Sequence, residues 1–240
     1  MPSILLTRPR AAAERMAEEL RRLGYDSAVE PLLTVVPSLA PPPDIKGVSA
    51  VMITSANALA WPLPAALQSL LQRPCFCVGA RTAAAARAFG FQDARSADGD
   101  GADLAQLIAD SAGGKSVLHI AGQETYGKAQ DILRRKGFTV GTWPVYAVVP
   151  AVEFSPQTVA LIRDGKIDAV PVFSPRTAEL LKTLLQRHAL PACCGRLIAI
   201  GMSEAVTEAL RPLPWRILAA AERPTEESVI ARLQELCHRL

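Results

Sequence analysis

The chain reads as an α/β protein: two similar domains, each a parallel sheet flanked by helices, joined by a two-stranded β connector, with one domain discontinuous in sequence. Three observations predict this. Gly24-Tyr25 followed by Pro31–Pro37, and Gly137-Phe138 followed by Pro144–Pro150, keep one offset of 113 residues, so the chain is written twice. A repeat of that length means two similar domains rather than a solenoid. Apolar runs of four to six residues also alternate with helical patterns, which indicates parallel sheets covered by helices. Finally, each copy carries one β-rich run bounded by prolines, a pattern that belongs at a sheet edge or between domains.

The elements follow in order. Ile4-Leu5-Leu6 opens a first strand that ends by Arg8, and Pro9 fits a first helical turn, where its missing N–H is not needed. Glu14, Glu18 and Glu19 precede Arg21 and Arg22 in a helix reaching Leu23, with Gly24 as its stop. The run 31–37 follows, then the stiff loop Pro41-Pro42-Pro43. Ala50–Ser55 matches Ala169–Ser174, Cys77-Val78-Gly79 matches Ala199-Ile200-Gly201, and Ile4-Leu5-Leu6 matches Val117-Leu118-His119. Each half is therefore expected to run strand, helix, paired strand, strand, helix, strand, helix and a last helix. The turn 96–101 precedes the helix Ala102 to Ser111, and its counterpart, 221–225, opens the final helix.

Pairing the proline-flanked runs, 31–37 with 144–150, makes them the connector. One domain is then 38–147, inserted into another made of 1–35 and 151–240. Two sequential halves divided near Gly113-Gly114 are the alternative; the shared role of the matched runs favours the discontinuous arrangement.

Composition narrows the function. The chain has 240 residues, is half hydrophobic and carries a formal charge of +3. Only six of its 26 basic residues are lysine, and no basic tract with interleaved aromatics suggests nucleic acid. No stretch reaches the roughly 18 uncharged apolar residues of a membrane span, and the N-terminus lacks a signal-peptide pattern, so a cytoplasmic location is expected. Five cysteines without C-x-x-C spacing read as reduced packing residues. No long exposed apolar stripe demands a partner subunit, and a monomer is expected.

Dinucleotide, P-loop, nucleophile-elbow and zinc-protease motifs are all missing, and the three histidines, 119, 188 and 238, lack metal-ligand spacing. His119, inside an apolar strand, reads as a satisfied core histidine. The positive signals are small polar residues where strands meet helices: Thr54-Ser55-Ala56-Asn57, Gly79-Ala80-Arg81-Thr82, Ser174-Pro175-Arg176-Thr177, Gly201-Met202-Ser203 and Pro224-Thr225. Ligands of open α/β sheets bind at the carboxyl ends of strands, where helix N-termini offer unpaired N–H groups to anions. Taken singly, each is explained by helix capping. Five such ends on two domains point to a cleft for a polyanion. Tyr146 interrupts an aliphatic connector strand opposite Leu33 of the other copy, and is either a packing aromatic or a phenol able to donate a hydrogen bond to a leaving hydroxyl or a carboxylate.

In order and spacing, these motifs resemble the uroporphyrinogen-III synthase family over almost the whole chain. The residues that carry the resemblance are Leu6-Thr7-Arg8-Pro9, Pro31–Pro37, Ile53–Asn57, Val78–Ala83, Asp100–Leu104, Val145-Tyr146, Phe173-Ser174-Pro175, Ile200-Gly201 and Pro224-Thr225. The resemblance implies two α/β domains on a two-strand ladder and a reaction without cofactor or metal. In that reaction hydroxymethylbilane closes to uroporphyrinogen III with inversion of the last ring, through an azafulvene and a spiro intermediate, within tetrapyrrole biosynthesis. The bilane-forming enzyme is implied as a transient partner.

By the same resemblance Tyr146 matches the family tyrosine associated with hydroxyl departure. Ser55, Thr82, Ser174 and Ser203 match polar cleft positions, and Arg196 falls where a cation can meet a carboxylate. Thr54, Asn57, Gly79, Gly101, Gly201 and Thr225 complete the expected substrate-binding set. Two departures stand out: Tyr126 replaces an arginine of many members, leaving Lys128 as its substitute, and Glu204 would repel a carboxylate unless turned away. A non-catalytic two-domain binding or sensor protein for an anionic small molecule is the alternative, and a relative that has lost activity is a third reading.

Overall fold

The computed structural model describes residues 1–125 and 127–238. The chain divides into two compact units, one of residues 1–34 and 149–240 and the other of 35–148.

The first unit opens with β1 (Ser3–Leu6), α1 (Arg10–Arg22) and β2 (Asp26–Val29). Pro9 stands one place outside the helix, at the N-cap, where its carbonyl accepts from the N–H groups of Ala12 and Ala13. The chain ends the helix as its sequence demands: Leu23 caps it and Gly24 turns into the left-handed region at φ 86°. The second unit begins in β3 (Leu33–Pro37) and continues through β4 (Ala50–Ile53), β5 (Cys75–Cys77), α2 (Ala80–Phe89), β6 (Ala94–Ser96), α3 (Gly101–Ser111), β7 (Ser116–Gly122), α4 (Lys128–Arg135) and β8 (Thr139–Pro150). The chain then completes the first unit with α5 (Pro156–Arg163), β9 (Ala169–Val172), α6 (Pro175–Arg187), β10 (Ile198–Gly201), α7 (Glu204–Leu210), β11 (Ile217–Ala220) and α8 (Glu226–Cys237).

The first unit's sheet has the order β11-β10-β9-β1-β2, and all its pairs are parallel. The second has the order β3-β8-β7-β4-β5-β6, parallel from β8 to β6. Each sheet takes two of its parallel strands from one sequence copy and three from the other, so the copies are shared between the units. The bonds Ser38 N to Val145 O and Ala151 N to Leu32 O run along the β3 and β8 pairing, one number rising as the other falls. The run 144–150 is the end of the 12-residue β8, not a separate strand. Pro144 sits in an interior strand, tolerated next to the register shift at Ala121/Gly122.

Both sheets are buried on both faces, which explains the unbroken apolar runs. Ile4 and Leu6 pack with Met16, Leu20, Val229 and Leu233 of α1 and α8; Leu5 packs on the opposite face with Leu181, Leu184 and Val206 of α6 and α7. In the second unit, Val51 and Ile53 join Ala83 and Ala86 of α2, while Ala50 and Met52 join Leu104, Ile108 and Leu133 of α3 and α4. Four of the five cysteines are buried in this packing, and all five are free.

One expected helix is missing from the first copy. Where α6 follows β9, β4 is followed by two 3₁₀ segments, Ala56–Leu59 and Ala65–Gln72. Pro62 and Pro64 stand between them; proline's missing N–H and ring clash break an α-helix.

Gly79 and Gly201 occupy matched positions at strand ends, yet their surroundings differ. A Cβ on Gly201 would lie 2.8 Å from Thr207 Cγ2 and 2.9 Å from the Thr207 nitrogen, whereas one on Gly79 would meet nothing within 4 Å. Gly201→Ala is therefore expected to destabilise the protein by roughly 1–3 kcal/mol in chemical denaturation, and Gly79→Ala to stay within about 0.5 kcal/mol.

Candidate functional site

Parallel pairing brings the carboxyl ends of all strands in a sheet to one edge, and each unit has such an edge. In the second unit it carries Thr54 and Ser55 after β4, Gly79 after β5, Asp98–Gly101 after β6 and Gly122 ending β7. Ser55 Oγ accepts from the Asn57 N–H at 3.3 Å, capping the 3₁₀ turn; Asn57 itself is exposed. Gly79 precedes α2 without any side-chain cap, and no acidic residue stands in that helix's first turn, so its N–H groups are open to an anion. Thr82 is buried against the sheet in that turn.

The neighbouring helix end is already charged. Asp100 caps α3 through Ala102 N at 2.6 Å, Asp103 completes a reciprocal capping box, and Lys128 Nζ lies 2.6 Å from Asp100 Oδ2. Hydrogen bonding from Lys128, then from the Ala102 backbone, holds the Asp100 carboxyl below its ordinary range. Gly101 and Lys128, expected to receive a substrate carboxylate, are thus engaged around two protein carboxylates. Tyr126, the position of the family departure, lies outside the described residues.

Tyr146 pairs with Gly122 across the register shift, and its main-chain carbonyl accepts from Gln123 N at 2.8 Å. Its ring lies over Gly122, where a Cβ would be 2.7 Å from Cζ and 3.0 Å from the hydroxyl. The side chain is 9% exposed and belongs to the cluster of Ile53, Ile120 and Trp143. It is thus a packed phenol held beside the end of β7.

His119 is fully buried, with Nδ1 2.9 Å from Gln130 Nε2 and Nε2 3.1 Å from Thr54 Oγ1. Burial lowers its pKa to about 4, so it is neutral at neutral pH. Nothing in the spacing of the chain signalled the link to Thr54, because it joins two strands 65 residues apart.

In the first unit the carboxyl edge carries Thr7 and Arg8 after β1, Ser174 after β9, Gly201 and Ser203 at β10, and Thr225 before α8. Ser174 accepts from Thr177 N at 3.1 Å and Thr225 from Ser228 N at 3.2 Å, so both hydroxyls cap helices. Ser203 holds the same position before α7 without a side-chain capping bond. Glu204 is directed to Arg211, 3.4 Å away.

Arg8 was absent from the expected set, yet its guanidinium stands 4.1 Å over the Phe173 ring and pairs with Glu226 at the start of α8. Its signal was its place directly after the first strand. Arg196 does not join this edge. It precedes β10, at the amino end of the sheet, and donates to the carbonyls of Arg163 at 3.0 Å and Ile162 at 3.5 Å, closing the C-terminus of α5. A cation suits the negative end of that helix, which accounts for its position.

Among the described residues no group of His, Cys, Asp or Glu is arranged to hold a metal ion, and no helix is long and apolar enough to cross a membrane.

Residues 14–231 match the family described as Uroporphyrinogen-III synthase HemD. A protein of Chlorobaculum parvum (strain DSM 263 / NCIMB 8327) named uroporphyrinogen-III synthase is 25% identical over 192 residues, covering 75% of this chain and 77% of that one. The crystal structure of uroporphyrinogen-III synthetase from Helicobacter pylori 26695 aligns at a TM-score of 0.67 with 16% identity, over 98% of this chain and 100% of the other. A mutant uroporphyrinogen III synthase from the extremely thermophilic bacterium Thermus thermophilus aligns at 0.55, also at 16% identity, over the full length of both. At these identities the two structures speak for the fold.

Two outcomes are expected. Gly122→Ala displaces the Tyr146 ring, costing roughly 1–3 kcal/mol of stability in urea denaturation. For His119, the depressed pKa means that the unfolded chain binds a proton the folded one does not between about pH 6.5 and 4. Its stabilisation is whole above that window and is lost as pH falls through it, by roughly 2 kcal/mol between about pH 7.5 and pH 5. Denaturation of His119→Gln at both pH values should show that loss largely removed; an unchanged loss would assign it to another group.

Proposed function

The chain belongs to the uroporphyrinogen-III synthase family, whose members are cyclising lyases of tetrapyrrole biosynthesis, and from that premise we propose how its residues act on hydroxymethylbilane. The match over residues 14–231 carries the assignment. It also weighs against a non-catalytic sensor.

The substrate bears eight carboxylates and closes by itself to the wrong isomer. The enzyme's task is therefore geometric control, more than the supply of a strong nucleophile. Its carboxylates are taken by groups that need not be cations. Each unit taken by itself offers such groups: in the second, the uncapped start of α2 after Gly79 and the hydroxyls of Thr54 and Ser55; in the first, Ser203, which makes no side-chain capping bond. Ser174, Thr225 and Thr82 shape the helix ends beside these groups, and Gly201 lets α7 approach its strand closely.

Tyr146 assists the departure of the terminal hydroxyl. Its phenol donates a proton as the C–O bond breaks, water leaves and the azafulvene forms. The substituted carbon of the last pyrrole attacks the azafulvene carbon and gives the spiro intermediate. The bond from the spiro carbon to the methylene of the preceding ring then breaks, that methylene bonds instead to the free α-carbon of the last pyrrole, which inverts it, and the proton lost from that carbon restores the phenol. Atoms balance as loss of one water. The packing of the ring on Gly122 supports this reading, because it fixes the position of the hydroxyl.

A coupled assay with the bilane-forming enzyme tests the activity: uroporphyrinogen III should dominate the product, and isomer I formed at the uncatalysed rate would overturn the assignment. Tyr146→Phe should retain the wild-type melting transition while turnover falls at least about 10-fold, equivalent to about 1.4 kcal/mol. A smaller fall would reduce the tyrosine to a positioning role, and unchanged turnover would remove it from the mechanism.

A further inference from the structure

A buried neutral histidine is expensive unless both ring nitrogens are bonded, and His119 spends its bonds in an unusual way. It sits mid-strand in β7, where Leu or Val would pack without polar cost. Its neighbours instead form a line of three polar side chains from α4, through the sheet, to the carboxyl edge: Gln130, His119 and Thr54. Gln130 is 4% exposed, and its Oε1 has no hydrogen-bond partner.

The line has a direction. With Gln130 Nε2 donating to Nδ1, the ring proton is on Nε2 and is donated to Thr54 Oγ1. The reverse tautomer needs Gln130 to turn its carbonyl toward the ring. That would leave two buried amide N–H donors without a partner in place of one donor and one acceptor, and orphaned donors are the rarer and costlier defect. Because Thr54 Oγ1 already accepts from the imidazole, its own hydrogen must find another acceptor. None is present among the described residues. Thr54 is half-buried immediately beyond β4, next to Ser55 and the 3₁₀ turn.

We propose that His119, held by Gln130, commits the Thr54 hydroxyl to donating a hydrogen bond to a carboxylate of the substrate. The imidazole does not touch the substrate and transfers no proton; it is a positioning residue that makes an otherwise ambivalent hydroxyl a fixed donor. A carboxylate can accept from such a group, which an N–H of a pyrrole cannot do. The inference rests on the proposed bilane-cyclising function.

The test is a double-mutant cycle in the coupled assay, with kcat and KM measured separately for Thr54→Val, His119→Leu and the double variant, alongside thermal melts. Thr54→Val is expected to lower kcat/KM about 10-fold or more, mostly through KM. His119→Leu should lower it by a similar factor, and the double variant should be no worse than Thr54→Val. His119→Gln, whose amide can still donate, should recover most of the loss.

Multiplying effects in the double variant, or His119→Leu kinetics equal to wild type, would overturn the proposal. Should His119→Leu fail to fold, Gln130→Leu decides: released from its partner, the ring loses its tautomer bias, and kcat/KM should fall only when Thr54 is present. Unchanged kcat/KM in Thr54→Val with wild-type formation of isomer III would defeat this inference alone. A wild-type protein that makes isomer I would defeat the function on which it rests.

Discussion

Parallel pairing between strands distant in sequence is the constraint from which the rest of this structure follows. In one sheet the seam is β1 against β9, where Ile4 faces Ala169 and Ser3 donates to the Asp168 carboxylate at 2.8 Å. In the other it is β4 against β7, in register from Ala50–Val117 to Ile53–Ile120. Each seam joins strands from different copies of the repeat. Parallel neighbours need long crossovers, and the crossovers lay helices over both faces. All strand ends then emerge at one edge together with the starts of the following helices. Burial and ligand chemistry are therefore set by the same backbone arrangement.

That arrangement makes the carboxyl edges polar without making them strongly cationic. Hydroxyls of Ser55, Ser174 and Thr225 satisfy helix N–H groups, Asp100 and Asp103 neutralise one helix start, and Gly79 leaves another open. The two related halves differ in the surroundings of their strand ends. A glycine packed tightly under Thr207 in one copy has a sterically free counterpart in the other. The tyrosine laid over Gly122 belongs to β8 alone.

Much of this was legible in the residues. Runs such as Ala50–Ile53 and Ile198–Gly201 are buried throughout, so their lack of alternation already spelled parallel strands. Gly24 after two arginines and Ser174 before Pro175 act locally, through backbone conformation and capping, and were readable for that reason. Arg196 was misplaced because proximity to a strand in sequence does not say which end of the sheet it reaches. The ion pair of Lys128 was not legible because its partner, Asp100, is 28 residues away at the start of another helix. The helix expected after β4 fails locally at Pro62 and Pro64, a signal present in the sequence and outweighed by the repeat.

The sequence by itself determined the α/β class, the duplication, the helix ends and the set of small polar residues at strand ends, because each depends on neighbours within a few positions. Only the tertiary structure decided strand order and register, the burial of His119 between Gln130 and Thr54, the seating of Tyr146 on Gly122, and the placement of Arg8 over Phe173. Those are contacts across strands and helices brought together by parallel pairing. No local propensity encodes them.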